Sequence, residues 1–403
     1  VNTPPALLWD DSLLWGVMAV HALSKAGLPF ELITSKDIRE GKLRDRPFLF
    51  VPGGWASNKG ESLGQEGRDA IRSFVKEGGS YLGICGGAGL ATEAGLGLLA
   101  IKRKPTQKRL PSFSGRIRFK LYPHPIWEGL KPPYEFYAWY PSQLSWEDGV
   151  IARFLEPSKD SFTSDLCVGD MKDQPWKELE KAYGINLNPE ILKDEPAAIE
   201  GTFEKGKVLL SLVHWDTPFD KKGLMVLKNI WRYLKGPLDS ISKKVSPNQK
   251  TNKDLNSLFK SVKEIISLGE RNLLWYWRNP YLLLWRRGIR GLEYSTLYTM
   301  LKEIALHGQE IHLDAFGKER FIRFKENLNR FLEMAKWLLV LERVLFTKGV
   351  VSWDFTPDPE VNRLRKELFG TKRSHGGLFK ELARDMEELL FIIYVSSSRE
   401  FSL

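Results

Sequence analysis

Apolar residues in the first third of the chain fall in short unbroken runs, and segments of helical period separate them. Ala6 to Asp11 opens as a buried strand, and Ser12 to Gly27 reads as a helix that stops at its glycine. Phe30 to Thr34 predicts a second strand. Arg46 to Val51 predicts a third, entered through Pro47 and ended by Gly53-Gly54. Gly64 to Gly78 places Ile71, Phe74 and Val75 on one helical face. Ser80 to Cys85 predicts a fourth strand, and Ala88 to Ala94 begins the next helix. Strands that are apolar throughout, alternating with helices, predict an α/β unit whose parallel sheet is covered on both faces.

The period changes after Leu99. Residues 100–160 alternate polar and apolar positions between turn residues, which predicts antiparallel strands or hairpins at a sheet edge. Pro196 onward predicts a strand, a turn at Lys205-Gly206, and a second strand from Lys207 to His214. A helix from Lys222 to Leu234 would close the unit. Gly236 to Asp254 is polar, with two prolines, and reads as a linker. Beyond it the stripes are helical: Leu255, Leu258, Val262 and Ile265, then Phe321, Phe324, Leu328 and Phe331, then Leu378, Leu382, Met386 and Leu389. The expected organisation is an α/β domain over 1–238, a linker over 239–253 and an all-α domain over 254–403.

Length agrees, since 403 residues exceed one ordinary core. The two cysteines, Cys85 and Cys167, form no disulfide framework, so a reducing, cytoplasmic setting is expected. The first residues lack a basic stretch ahead of an apolar one, so no signal peptide is expected. No apolar run reaches the roughly 18 residues of a spanning helix. No Cys/His cluster has zinc spacing, and neither metal nor cofactor is expected. The net charge of +10 is uneven: residues 1–240 hold 32 basic and 30 acidic side chains, residues 241–403 hold 28 and 20. The basic second part permits an anionic partner. Nucleic acid is not expected, because no reader motif is present.

The candidate chemistry centres on Cys85, which lies among Gly83, Gly86, Gly87 and Gly89 between a strand and a helix. A helix amino-terminus stabilises a thiolate, and small neighbours let a sharp turn present the sulfur. The Gly86 N–H could face a developing oxyanion, with a second donor from the Gly53-Gly54 loop. Of six histidines, His214 ends a strand, and Asp216 two residues later could orient its ring. Cys85, His214 and Asp216 thus form a coherent triad. A plainer reading stands beside it: an inert thiol in a tight turn, a histidine bonded to a carbonyl, and Asp216 capping the turn at Thr217-Pro218.

Phe50-Val51-Pro52-Gly53-Gly54, then Gly83-Ile84-Cys85-Gly86-Gly87, then Lys207 to Asp216 together resemble the class I glutamine amidotransferase-like fold. Within that superfamily the chain is most similar to the amino-terminal domain of biotin–protein ligases, over residues 5–236. The resemblance implies a flavodoxin-like, mostly parallel sheet. It also implies Cys85 as nucleophile, His214 as base, Asp216 as orienter, and Gly53, Gly54 and Gly86 around an oxyanion. Two departures stand out. Asp216 occupies the place of the family's usual Glu, one methylene longer. Residues 241–403 carry no adenylate-binding loop, so biotinylation is not expected.

Other features sharpen the picture less. Lys102 to Lys120 holds eight basic residues and reads either as an anion clamp or as a solvated hairpin. His124 is expected in a structural turn and Glu93 as a solvated helix charge. Trp55, Tyr137, Trp139, Tyr140 and Trp215 are candidates for a pocket wall or, at least as readily, for plain core or rim. Arg271 to Gly291 interleaves aromatics with five arginines, as core with snorkelling cations or as a docking surface; a membrane role is the weakest reading. Two functions follow. One is thiol-dependent hydrolysis or transfer at an amide or acyl carbon of a small-molecule or peptide-like substrate. The other is a ligand-binding module whose 254–403 region docks a protein partner or a second copy.

Overall fold

The computed structural model describes residues 3–171, 174–236, 252–349, 356–372 and 374–399. The linker expected over 239–253 lies, as far as residue 251, outside the described residues. The chain divides into two compact units, Val1–Ser242 and Lys243–Leu403.

The first unit begins β1 (Ala6–Leu8), α1 (Leu13–Ala26), β2 (Glu31–Ile33), α2 (Ser35–Arg39), β3 (Phe48–Val51), α3 (Ala56–Lys76), β4 (Ser80–Ile84), α4 (Gly86–Leu90). Helix α3 starts eight residues ahead of the expected Gly64, and at Gly64 (φ 63°, ψ −173°) two helical runs meet. Helix α4 is a single short turn rather than the expected longer helix, because the Glu93 N–H bonds to Ile101 O instead of continuing it.

Next come β5 (Lys102–Arg103), β6 (Phe113–Leu121), β7 (Glu135–Trp139), β8 (Leu144–Ser145), β9 (Val150–Pro157), β10 (Phe162–Thr163) and β11 (Leu166–Cys167). Then follow α5 (Trp176–Tyr183), β12 (Pro196–Phe203), β13 (Gly206–Ser211) and α6 (Lys221–Tyr233). All the strands but β5 and β8 join one 11-stranded sheet.

Half of that sheet runs β2-β1-β3-β4-β13, all parallel. This is the doubly wound, flavodoxin-like order, with its switch point between β1 and β3. Strands β3 and β4 are buried at every position, which is why their sequences do not alternate. The other half, β12-β9-β6-β10-β11 with β7 also on β6, is antiparallel and larger than the edge expected over 100–160. Helix α1 packs on α6, while α3 packs on α2 and α4. Trp231 of α6 stands edge-on to Phe48 and Phe50 of β3, at centroid distances of 4.9 and 6.2 Å. Each such buried aromatic contributes about 1.5–3 kcal/mol through area removed from water.

Register matters for function. Val51 pairs with Gly83 and Ile84 with Ser211, so β3, β4 and β13 end side by side. Leu7 of β1 pairs with Phe50. Four carboxyl ends therefore open onto one rim.

The second unit is helical: α7 (Lys253–Arg271), α8 (Gly291–His307), α9 (Glu310–Phe316), α10 (Lys318–Thr347), α11 (Pro359–Phe369) and α12 (Gly377–Arg399). The all-α expectation needs one correction. A hairpin of β14 (Trp275–Trp277) and β15 (Leu283–Trp285) sits between α7 and α8. Asn279 turns it, its side-chain oxygen accepting the N–H groups of Tyr281 and Leu282. Trp275 is buried, its indole N–H donating to Ile266 O. Arg290 pairs with Glu293 and lies over the Phe369 ring, and Arg286 lies over Phe346. Among the described residues no helix is long and apolar enough to cross a membrane.

Candidate active site

The four carboxyl ends supply the residues. Strand β4 delivers Cys85, whose φ of 50° and ψ of −99° hold it in a strained turn immediately before α4. A non-glycine residue there costs on the order of 1–3 kcal/mol, and such strain persists only where the surroundings enforce it. The Cys85 N–H donates to Ser211 O at 2.7 Å, tying the turn to the end of β13. Gly86 is the first residue of α4, so its N–H has no carbonyl one turn back. A Cβ on Gly86 would lie 1.8 Å from Gly54 O, so the elbow and the β3–α3 loop touch backbone to backbone. Gly54 itself has φ 113° and no room for a Cβ beside Asp11 O. A Cβ on Gly53 would lie 2.8 Å from the His214 ring.

His214 follows β13 and is fully buried with Asp216. Its Nδ1 lies 2.9 Å from Asp216 Oδ1, so the shorter aspartate reaches the ring. The turn is pinned from β7. The His214 N–H donates to Tyr137 O, the Thr217 hydroxyl donates to His214 O, and the Trp139 indole N–H donates to Thr217 Oγ1. The other ring nitrogen, Nε2, makes no hydrogen bond among the described residues, while His214 and Cys85 act on each other's proton affinity. Burial alone would raise the pKa of the thiol; His214 first, then Ser142, outweigh it and bring it below its ordinary value. Burial alone would lower the pKa of the imidazole; Asp216 first, then Cys85, outweigh it and raise it to about 10. Both directions favour a thiolate beside an imidazolium. Cys85 keeps partial solvent access.

Tyr140, a pocket-wall candidate, is beside the site, together with several neighbours that carried no sequence signal of their own. Ser142 donates its hydroxyl to Cys85 O at 2.7 Å and lies 4.0 Å from the sulfur. The thiol points at Tyr140 O, 3.6 Å away, and Tyr140 is itself held at φ 55°. Trp15, in the first turn of α1, stacks on the His214 ring at 4.5 Å and 24°. Lys59 is fully buried, donating to Ser12 Oγ at 2.6 Å and Asp10 O at 3.3 Å. The one available clue was position, since Trp9 to Trp15 follows the first strand of a doubly wound sheet.

The remaining candidates sit elsewhere in the architecture. Trp139 and Trp215 are core residues, the latter edge-on to Trp127, so neither walls a pocket. Trp55 is exposed. Glu93 is exposed beside Lys102. Of the basic stretch, Lys104 pairs with Glu195, Arg116 with Asp160, and Arg118 with Glu135. His124 bonds to Glu200 in a structural turn.

Residues 39–94, spanning β3, α3, β4, the Cys85 elbow and α4, match the family model described as biotin-protein ligase, N terminal, consistent with a domain of that type. No curated protein matches the chain. Among solved structures, a beta-galactosidase from Bacillus circulans sp. alkalophilus aligns at 13% identity and TM-score 0.36, over 58% of this chain and 31% of that one. A cytoplasmic protein from Salmonella typhimurium aligns at 10% identity and TM-score 0.35, over 57% of this chain and 98% of that one. A protein described as ThuA-like from Bacteroides uniformis aligns at 14% identity and TM-score 0.35, over 60% and 98%.

Proposed function

We propose that the first unit is a glutamine amidotransferase-like enzyme that hydrolyses or transfers an acyl group through a Cys85 thioester. The observation that carries this reading is the strained Cys85 elbow set against the buried His214–Asp216 pair, with the two pKa directions that follow. The sulfur anion adds to an amide or related acyl carbon, and its oxygen takes the charge. The Gly86 N–H and the Gly53-Gly54 loop serve that oxyanion. The adduct collapses as the His214 imidazolium gives its proton to the leaving nitrogen. Neutral His214 then takes a proton from water, which cleaves the thioester to the acid and restores thiolate and imidazolium. Asp216 holds the ring tautomer throughout. The substrate is a small molecule or peptide-like, and the setting is cytoplasmic, where both free thiols stay reduced.

Mass spectrometry of protein treated briefly with iodoacetamide at pH 6 tests it. Cys85 labels faster than a free thiol, and His214→Ala removes the advantage, on the order of tenfold or more. Labelling no faster than a free thiol, and indifferent to His214, sinks the enzyme. That outcome would leave the second reading, a binding module whose helical unit docks a protein partner or a second copy. The exposed row of Trp337, Val340 and Val344 on α10 favours it for that unit.

A further inference from the structure

The loop between β1 and α1 is built with more constraint than a strand-to-helix connection requires. Asp11 and Leu13 both hold positive φ, at 52° and 51°. Ser12 is fully buried, donates to Leu8 O at 2.9 Å, and accepts from the buried Lys59. Lys59 also reaches Asp10 O, so α3 clamps the loop from below. The Asp11 carbonyl meanwhile presses on Gly54. What this clamp fixes in space is Trp15.

The Trp15 indole covers one face of the His214 imidazole, nearly parallel at 24°, with centroids 4.5 Å apart. Tyr140 stands edge-on to the same indole at 6.5 Å. Gly53 leaves the space that lets the two rings meet, because a Cβ there would touch both. The titratable groups acting on the imidazole are Asp216 from its own turn and Cys85 from the β4 elbow. The β1–α1 and β3–α3 loops present uncharged groups, Trp15 and Gly53, and β7 offers the Tyr137 backbone carbonyl. Lys59 and Asp11 approach Gly54, beyond Gly53.

We infer that Trp15 is a positioning residue for His214: its π face locks the ring plane and stabilises the protonated imidazole, and Lys59 holds the loop that carries it. The role rests on the thiolate–imidazolium reading above. A flat aromatic face attracts a cation along its normal, and more strongly where water is excluded. In a pair where the thiol titrates first, that attraction does not alter thiolate formation, because the imidazolium is present on both sides of that step. It delays the later loss of the imidazolium proton.

The test is an NMR titration of isotope-labelled histidine in the full chain. Trp15→Leu lowers the midpoint at which His214 loses its proton by about one pH unit, and Trp15→Phe by less. A midpoint that stays put, or rises as water enters the vacated space, overturns the inference. Should Trp15→Leu fail to fold, Trp15→Phe and Trp15→Met give the same ordering, wild type above Phe above Met. The failures of the two readings separate cleanly. Slow, His214-independent labelling of Cys85 removes the enzyme, while an ordered series of midpoints still sustains Trp15 as the partner of the imidazole.

Discussion

His214 and His124 make the same contact in different surroundings. Each ring lies 2.9 Å from a carboxylate, Asp216 in one case and Glu200 in the other. His124 spends its second nitrogen on the Ile126 N–H, and Glu200 takes a further bond from the Tyr233 hydroxyl. That pair ties a turn after β6 to β12 and α6. The second nitrogen of His214 makes no hydrogen bond among the described residues, and the ring acts electrostatically on the Cys85 thiol in its strained elbow. A histidine–carboxylate pair is therefore no site by itself. Under the proposed function, the remaining ring nitrogen is what separates a rivet from a base.

Breaking each pair in turn should separate the roles. The widest gap is expected between His214→Ala, which removes the rapid labelling of Cys85, and His124→Ala, which leaves it unchanged. Next, Asp216→Asn lowers the labelling rate on the order of tenfold, because an amide no longer stabilises the imidazolium. Glu200→Gln leaves that rate alone, and equal losses in both variants would dissolve the distinction. A stability comparison comes third. His124→Ala leaves Glu200 Oε2 and the Ile126 N–H without their partner and costs about 1–2 kcal/mol in urea unfolding. An unchanged unfolding midpoint would mean that the His124 turn carries no load.

The smallest effect is in acid. Burial raises the pKa of Glu200, but His124 first and Tyr233 next outweigh it and leave it below the usual carboxylate value. A carboxylate depressed on folding contributes stability above its unfolded pKa and loses it as pH falls through its folded pKa. Melting temperature measured below about pH 4.5 should therefore fall less steeply in Glu200→Gln than in the wild type. Identical slopes would mean the pair carries no linked proton.

Much of this was legible in the chain. Apolar runs broken by helical stripes gave the parallel half of the sheet, since a strand buried on both faces has no polar side to alternate with. The glycines around Cys85, and Asp216 two residues after His214, singled out the residues that the strand ends bring together. The hairpin at Trp275 to Trp285 was hidden, because three-residue strands show too little period, and only the Asn279 turn betrays it. Trp139 and Trp215 were open between pocket wall and core, because a tryptophan near a strand end looks the same whichever face it enters, and both are core.

The sequence by itself determined the local order in the first unit: where the parallel strands lie, where the elbow falls, and which histidine has a carboxylate two residues on. These depend on period, turn chemistry and neighbours, all short-range. Only the tertiary structure decided that Trp15 lies on His214, that Ser142 and the Tyr140 carbonyl approach the sulfur, and that His124 is spent on Glu200. Those contacts join residues 55 to about 200 positions apart. Strand order and register bring them together, and no local pattern encodes either.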